Sequence, residues 1–259
     1  MYWPRSRLKR ALPWPPLVVI PARMASTRLP GKPLADIHGE PMIVHVWRRV
    51  QAAAIGPVVV ACAEPAIAAA VQAVGGRAVL TRPDHPSGSD RVFEAVQVVD
   101  PMAHHDIVVN VQGDLPTLDS RILQAVLAAL AVPAVDIATL AAPLADPREA
   151  TDPNVVKAVA GFATVTPGAS ARALYFSRAT VPDGPGPLFH HIGLYAYRRA
   201  ALARFVALPP GVLETRERLE QLRALENGLR MEVVLVDTVP LGVDTPDDLI
   251  RARANLAPS

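Results

Sequence analysis

The sequence is poor in the features that most often announce a function. It holds one cysteine, Cys62, so no disulfide forms within the chain, and a lone thiol in the apolar run PVVVACA reads as a small core residue rather than a nucleophile. No hydrophobic run approaches the roughly 18 residues a membrane span requires; the longest, such as Ala125 to Val135, stop well short. No membrane insertion is expected. Neither sign of charge dominates, since 26 Lys and Arg face 24 Asp and Glu for a formal charge of +2, which leaves no polyanion-binding signature over the whole chain. Internal repeats and low-complexity tracts are also lacking. What remains is a chain of 259 residues, 51% hydrophobic and 19% charged, with enough apolar material for one large domain or two small ones and too much for disorder.

The first residues place basic side chains before an apolar stretch, as a secretory signal does, but Pro13, Pro15 and Pro16 interrupt the stretch and no A-x-A site follows. An unprocessed cytoplasmic protein is expected, with residues 1–15 a loose basic arm and 16–259 one domain. Residues 1–32 carry seven cations and no acid. Four belong to the arm and three to the loop after the first apolar run, so no nucleic-acid partner is required.

Short apolar runs alternate with longer amphipathic ones, which argues for crossover units and a mainly parallel sheet. Leu17 to Ile20, Pro57 to Cys62, Arg77 to Leu80, Asp106 to Gln112 and Asp136 to Ala141 read as strands, with helices over 41–54, 64–75, 89–99 and 118–131. Gly75 and Gly76 read as a left-handed cap closing the second helix. Beyond about residue 150, VVKAVA, RALYFS and FHHIGLYAYR suit strands of an antiparallel excursion, and a helical pair and the strand MEVVLVD follow. The 27 prolines, about twice the usual ~5%, fall mostly in connections.

In such a sheet ligands sit beyond the carboxyl ends of the strands, so the loops there are the places to look. PARMASTRLPGKP, Pro21 to Pro33, holds Arg23, Arg28 and Lys32 without an acid. Three cations on a Gly/Pro-punctuated loop suit a triphosphate or, equally, a solvated basic loop. It is neither a G-x-G-x-x-G fingerprint nor a Walker A loop, because Ser26 stands where the first Gly belongs and Pro33 follows Lys32. In NVQGDLP, Asp114 ends the fourth strand and reads either as a Mg²⁺ ligand or as a turn aspartate. In GVDTPDD, Asp244 follows a strand, Thr245 and Pro246 read as the cap and first position of a closing helix, and Asp247 and Asp248 as ordinary first-turn acids. TRPDHPSGSDR, Thr81 to Arg91, suits recognition of a base or ribose, or a plain capped loop.

Together these residues resemble the 3-deoxy-manno-octulosonate (Kdo) cytidylyltransferases, the CMP-Kdo synthetases. The resemblance runs from about Leu17 to Leu256 through VVIPARMASTRLPGKPLADIHGEPMIVHV, TRPDHPSGSDR, VNVQGDLP, DPNVVKAV, ALYFSRATVP, HIGLYAYR, LEQLRALENG and GVDTPDDL, all in family order. It implies a Rossmann-like α/β nucleotide-diphospho-sugar transferase fold, mainly parallel, with helices on both faces and a smaller antiparallel excursion over about 155–215 that binds the acceptor. It also implies transfer of CMP from CTP to the anomeric hydroxyl of an acidic eight-carbon sugar, with pyrophosphate leaving, in supply of lipopolysaccharide synthesis.

On this resemblance, Lys32, Asp114 and Asp244 are the catalytic positions, Asp114 and Asp244 holding Mg²⁺. Ala22, Arg23, Arg28, Lys32, Arg82, Ser87, Gly88 and Gln112 match positions around CTP. Arg178, His191, Tyr195, Glu220 and Gln221 match the sugar-acid side, although His191 also suits a satisfied core histidine. No Ser, Cys or His nucleophile is needed, because the acceptor's own hydroxyl attacks. A homodimer is expected, and HIGLYAYRRAALARFV suits either its interface or a core. Departures from the family pattern are Ala63 and Glu64 where relatives have an aspartate, Ser89 for Thr, Leu115 for the Glu of QGDEP, and a short segment, Pro182 to His190, beside the acceptor. Another sugar acid, such as 8-amino-Kdo or a sialic acid, and a catalytically silent nucleotide-binding module are the alternatives.

Overall fold

The computed structural model describes residues 14–257, so the expected basic arm lies outside the described residues except at Trp14 and Pro15. In chain order the strands and helices are β1 Leu17–Ala22, β2 Asp36–Ile37, β3 Glu40–Pro41, α1 Met42–Ala52, β4 Val58–Cys62, α2 Pro65–Ala73, β5 Arg77–Leu80, α3 Gly88–Val99, β6 Ile107–Asn110 and α4 Arg121–Ala129. There follow β7 Ile137–Pro143, β8 Lys157–Ala160, β9 Ser170–Ser177, β10 Phe189–Arg198, α5 Arg199–Ala207, α6 Val212–Glu217, α7 Gln221–Glu226, β11 Met231–Leu235 and α8 Pro246–Asn255. The described residues form two compact units, one of residues 14–123 and 240–257, the other of Gln124–Val239.

The first unit carries four parallel strands in the order β5-β4-β1-β6. Every residue of β4 and β6 is buried, as is all of β1 but Pro21, because parallel strands have both faces covered by helices and tolerate no polar alternation. The edge strand β5 is only four residues long, with Arg77 and Leu80 exposed. Cys62 is wholly buried, as a core thiol should be. α1 turns Met42, Ile43, Val44, Val46 and Val50 inward. α2 begins on Pro65 and ends at Ala73, and beyond it Gly75 takes the expected left-handed φ of 81°; Gly75 and Gly76 donate to Gln72 and Val71 carbonyls, the paired bonds of a left-handed C-terminal cap. A second small core, Ile37, Met42, Val243, Leu249 and Ala252, seats α8 against the β2–β3 hairpin region.

The second unit holds five strands in the order β10-β7-β11-β9-β8. Only β7–β11 is parallel, and β8 also meets β10 through Lys157 and His190. The expected antiparallel excursion is therefore present in β8, β9 and β10. Three helices, α5, α6 and α7, precede β11, where the sequence suggested a pair. Ile192, Leu194, Ala196, Tyr197, Ala201, Leu202 and Phe205 are buried, so the apolar stretch considered for an interface is used as core. No helix among the described residues is long and apolar enough to cross a membrane.

Candidate active site

The four parallel strands of the first unit point their carboxyl ends at one group of loops, which encloses a cleft of about 390 Å³. Ala22, Arg23, Arg28, Lys32, Ser87, Gly88, Gln112, Asp114 and Asp244 all line it. Two strand readings need correction. β6 ends at Asn110, so Asp114 lies in the loop beyond it, and Asp244 follows not a strand but an irregular stretch, immediately before α8. Backbone bonds nevertheless bring the two aspartates together: Val243 N–H donates to the Asp114 carbonyl at 2.9 Å, and Leu241 N–H to Thr117 Oγ1 at 2.9 Å. Gly113 lets the loop that carries Asp114 pass close to β1, since a Cβ there would stand 2.7 Å from the Pro21 carbonyl oxygen.

The start of α8 fixes Asp244. Thr245 caps the helix by accepting from Asp248 N–H, and the Asp248 carboxylate accepts from Asp244 N–H at 3.1 Å and Thr245 N–H at 2.9 Å. Asp248 thus closes a capping box, a larger part than that of a dipole-favouring acid. On the opposite wall, Lys32 opens a single 3₁₀ turn behind Gly31. Its ammonium donates to Asp114 Oδ2 at 2.7 Å and Asp244 Oδ1 at 3.0 Å, while Arg28 pairs with Asp244 Oδ2 at 3.0 Å. Burial alone would lower the Lys32 pKa, but the Asp114 charge and the hydrogen bonds to both aspartates hold it above its ordinary value.

Other parts of the cleft depart from expectation. Ser87 is the N-cap of α3, accepting from Asp90 N–H, so the capped-loop reading is realised even as Ser87 lines the cleft. The Arg82 side chain points to Asp84, Nε to Oδ1 3.6 Å, and is not among the lining residues; the Arg82 backbone N–H donates to Glu94, which also holds His85. Arg91 is the cation that sequence reasoning missed. It lines the cleft, is 2% exposed, and donates to Thr81 Oγ1 at 2.6 Å. Burial and then the Arg23 charge lower its pKa. Its signal was a cation one turn into a capped helix. Glu64, a departure from the family pattern, accepts from Met24 N–H at 3.1 Å and so braces the cationic loop; Ser89 and Leu115 are buried.

The sugar-acid candidates all lie in the second unit. Tyr195, Glu220 and Gln221 share a small cavity of about 10 Å³ with Tyr197 and Phe205. Burial raises the Tyr195 phenol well above its ordinary pKa. His191 packs between Phe176 and Tyr195 at ring separations of 4.7 and 5.7 Å, with Nε2 3.0 Å from Thr139 Oγ1. Burial pushes its pKa down to about 3, so it is a neutral imidazole. Arg178 stands at the end of β9, bonded to Glu217, Pro153 and Arg218.

A cleft with four cations, two converging carboxylates and an α/β scaffold defines a nucleotidyltransferase, and the sequence profile of the cytidylyltransferase family matches residues 17–232. The chain belongs, within that class, to the 3-deoxy-manno-octulosonate cytidylyltransferase family. A member from Paramagnetospirillum magneticum is 67% identical over 93% of this chain and 97% of its own, and one from Rhodospirillum centenum is 68% identical over 96% of each. The solved structure of a CMP:2-keto-3-deoxy-manno-octonic acid synthetase complexed with CTP superimposes with a TM-score of 0.86 at 40% identity, covering 94% of this chain and 98% of that one. A 4-diphosphocytidyl-2C-methyl-D-erythritol synthase from Anaerococcus prevotii shares the fold, with a TM-score of 0.60 at 14% identity over 94% of this chain and 99% of the other.

Proposed function

We propose that this chain transfers CMP from CTP to the anomeric hydroxyl of Kdo, with Mg²⁺ held by Asp114 and Asp244. The observation that carries the proposal is the pair of carboxylates already sharing one cation, the Lys32 ammonium, within a cleft lined by Arg23, Arg28 and Arg91. Hard carboxylate oxygens suit Mg²⁺, which is usually bound by one or two carboxylates plus phosphate oxygens and water. When bound, Mg²⁺ supplies charge neutralisation at the phosphates and polarisation of the oxygens it meets.

Arg23 and Arg28 orient the triphosphate, and Lys32 offsets charge developing at the α-phosphate as the acceptor oxygen attacks and pyrophosphate departs in line. Gln112, Ala22, Ser87 and Gly88 face the nucleoside. Arg178, His191, Tyr195, Glu220 and Gln221 hold the sugar acid, His191 acting as a neutral hydrogen-bonding group rather than a proton carrier. The proposal extends to a cytoplasmic homodimer, for which light scattering should give twice the chain mass of 27.6 kDa.

Asp114→Asn and Asp244→Asn test the metal assignment. Each should lower turnover by about 10²-fold or more and weaken Mn²⁺ binding measured by electron paramagnetic resonance, with the melting temperature little changed. Normal Mn²⁺ affinity and turnover in either variant would remove that aspartate from the site.

A further inference from the structure

We infer that Glu217 is a positioning residue for the acceptor: at the end of α6 its carboxylate fixes the main chain of Arg178 and its own carbonyl meets the guanidinium, and together they set the grip on the sugar acid's carboxylate. The inference rests on the placement of Arg178 at the sugar-acid side proposed above.

Glu217 is the last residue of α6, yet its polar atoms are spent on the end of β9. Oε1 accepts from Ser177 Oγ at 2.8 Å and, more weakly, from Tyr175 OH at 3.5 Å. Oε2 accepts from Arg178 N–H at 3.0 Å, and the Glu217 carbonyl accepts from Arg178 Nε at 2.9 Å. One residue thus holds Arg178 at both its backbone and its head group. The Ser177 hydroxyl extends the brace by accepting from Ala179 N–H at 3.1 Å. From the other side, the fully buried Lys157 donates to the Arg178 carbonyl at 2.9 Å as well as to Asp152 and Val155 carbonyls. Burial first, and then the nearby Arg178 charge, lower the Lys157 pKa, while Asp152 and Glu217 oppose that. Glu217 is therefore a counter-charge to Lys157.

A donor count shows what this holding achieves. A guanidinium has five N–H groups. Nε–H is taken by Glu217, one terminal N–H by the Pro153 carbonyl at 2.8 Å, and one by the Arg218 carbonyl at 3.5 Å. One N–H on each terminal nitrogen is left without a protein acceptor among the described residues, enough in number for the two oxygens of a carboxylate. Arginine is rotamer-rich, so fixing its fork in advance lowers the ordering cost of gripping that carboxylate. Glu217 itself has its oxygens engaged by protein donors, which makes it a positioning group and not a ligand of the sugar.

The test is steady-state kinetics with CTP and Kdo for wild type, Glu217→Gln, Arg178→Lys and the double variant. The amide in Glu217→Gln keeps one acceptor but presents a donor to the second site, so it loses a charged hydrogen bond to the Ser177–Arg178 segment while the main-chain bond to Arg178 Nε is retained. The acceptor KM should rise ~10-fold, with kcat and the KM for CTP within about 2-fold, and the double variant should be no worse than Arg178→Lys alone. A raised acceptor KM in Arg178→Lys with none in Glu217→Gln, or a uniform loss across kcat and both KM values in Glu217→Gln, overturns the inference and leaves Arg178 in place. An unchanged acceptor KM in Arg178→Lys overturns the placement of Arg178 itself. If Glu217→Gln does not fold, Glu217→Asp, which keeps the charge on a shorter arm, is read by the same criteria.

Discussion

Lys32 shows how much of this cleft depends on single side chains. Its ammonium satisfies two carboxylates at once, so a neutral side chain there removes a positive charge from the cleft and leaves Asp244 with Arg28 alone. Lys32→Met should lower kcat by about 10²- to 10³-fold in the pyrophosphate-release assay; a loss below 2-fold would contradict its assignment. His191 carries a different prediction. Its folded pKa of about 3 lies below the ordinary histidine value of 6.5, so the unfolded chain binds the extra proton between those values. Stability from this residue is complete above about pH 6.5 and falls on acidification towards pH 3, with a slope approaching ~1.4 kcal/mol per pH unit. Urea midpoints measured at pH 4.5 and 6.5 should therefore differ less in His191→Gln than in wild type, and equal differences would refute the buried neutral imidazole. Burial raises the Cys62 thiol to about 11, so iodoacetamide at pH 8 should leave the native protein unlabelled, whereas rapid stoichiometric labelling would contradict the buried thiol.

The elements that matter most are the irregular ones between strands and helices. Gly113→Ala would push a methyl group to within 2.7 Å of the Pro21 carbonyl oxygen, and backbone cannot yield there without moving Asp114. Turnover should fall about 10-fold or more through displaced geometry, and unchanged kinetics would show that the loop gives way freely. Thr245→Ala removes the α8 cap and should cost ~1 kcal/mol in urea unfolding. Such loops were the least legible part of the sequence. LVVI and PVVVAC announced their strands because a strand buried on both faces is apolar throughout, and FHHIGLYAYR matched β10 from end to end. The β2–β3 hairpin escaped notice because two-residue strands carry no periodicity. The reading of Asp106 to Gln112 ran past β6 because Val111 is still bonded to Val19, which keeps the chain extended after the ladder assigned to the strand has ended.

Across the whole molecule, the cations and aspartates of the cleft were legible because their types and order mark the family, although the bonds that unite Asp114 with Asp244 join distant parts of the chain. The direction of the Arg82 side chain, towards Asp84, was not legible because it depends on a turn held by Glu94, and Arg91 was overlooked because a cation early in a helix reads as solvated surface. Glu217 left no trace in sequence, since its partners lie about 40 positions away on β9. The most direct test of the account is pyrophosphate release from CTP with Mg²⁺ in parallel reactions containing Kdo, 8-amino-Kdo, a sialic acid or no acceptor. Fast release with Kdo and none without an acceptor is the predicted result; release with another acid alone would move the substrate, and silence in every reaction would contradict CMP transfer by this chain.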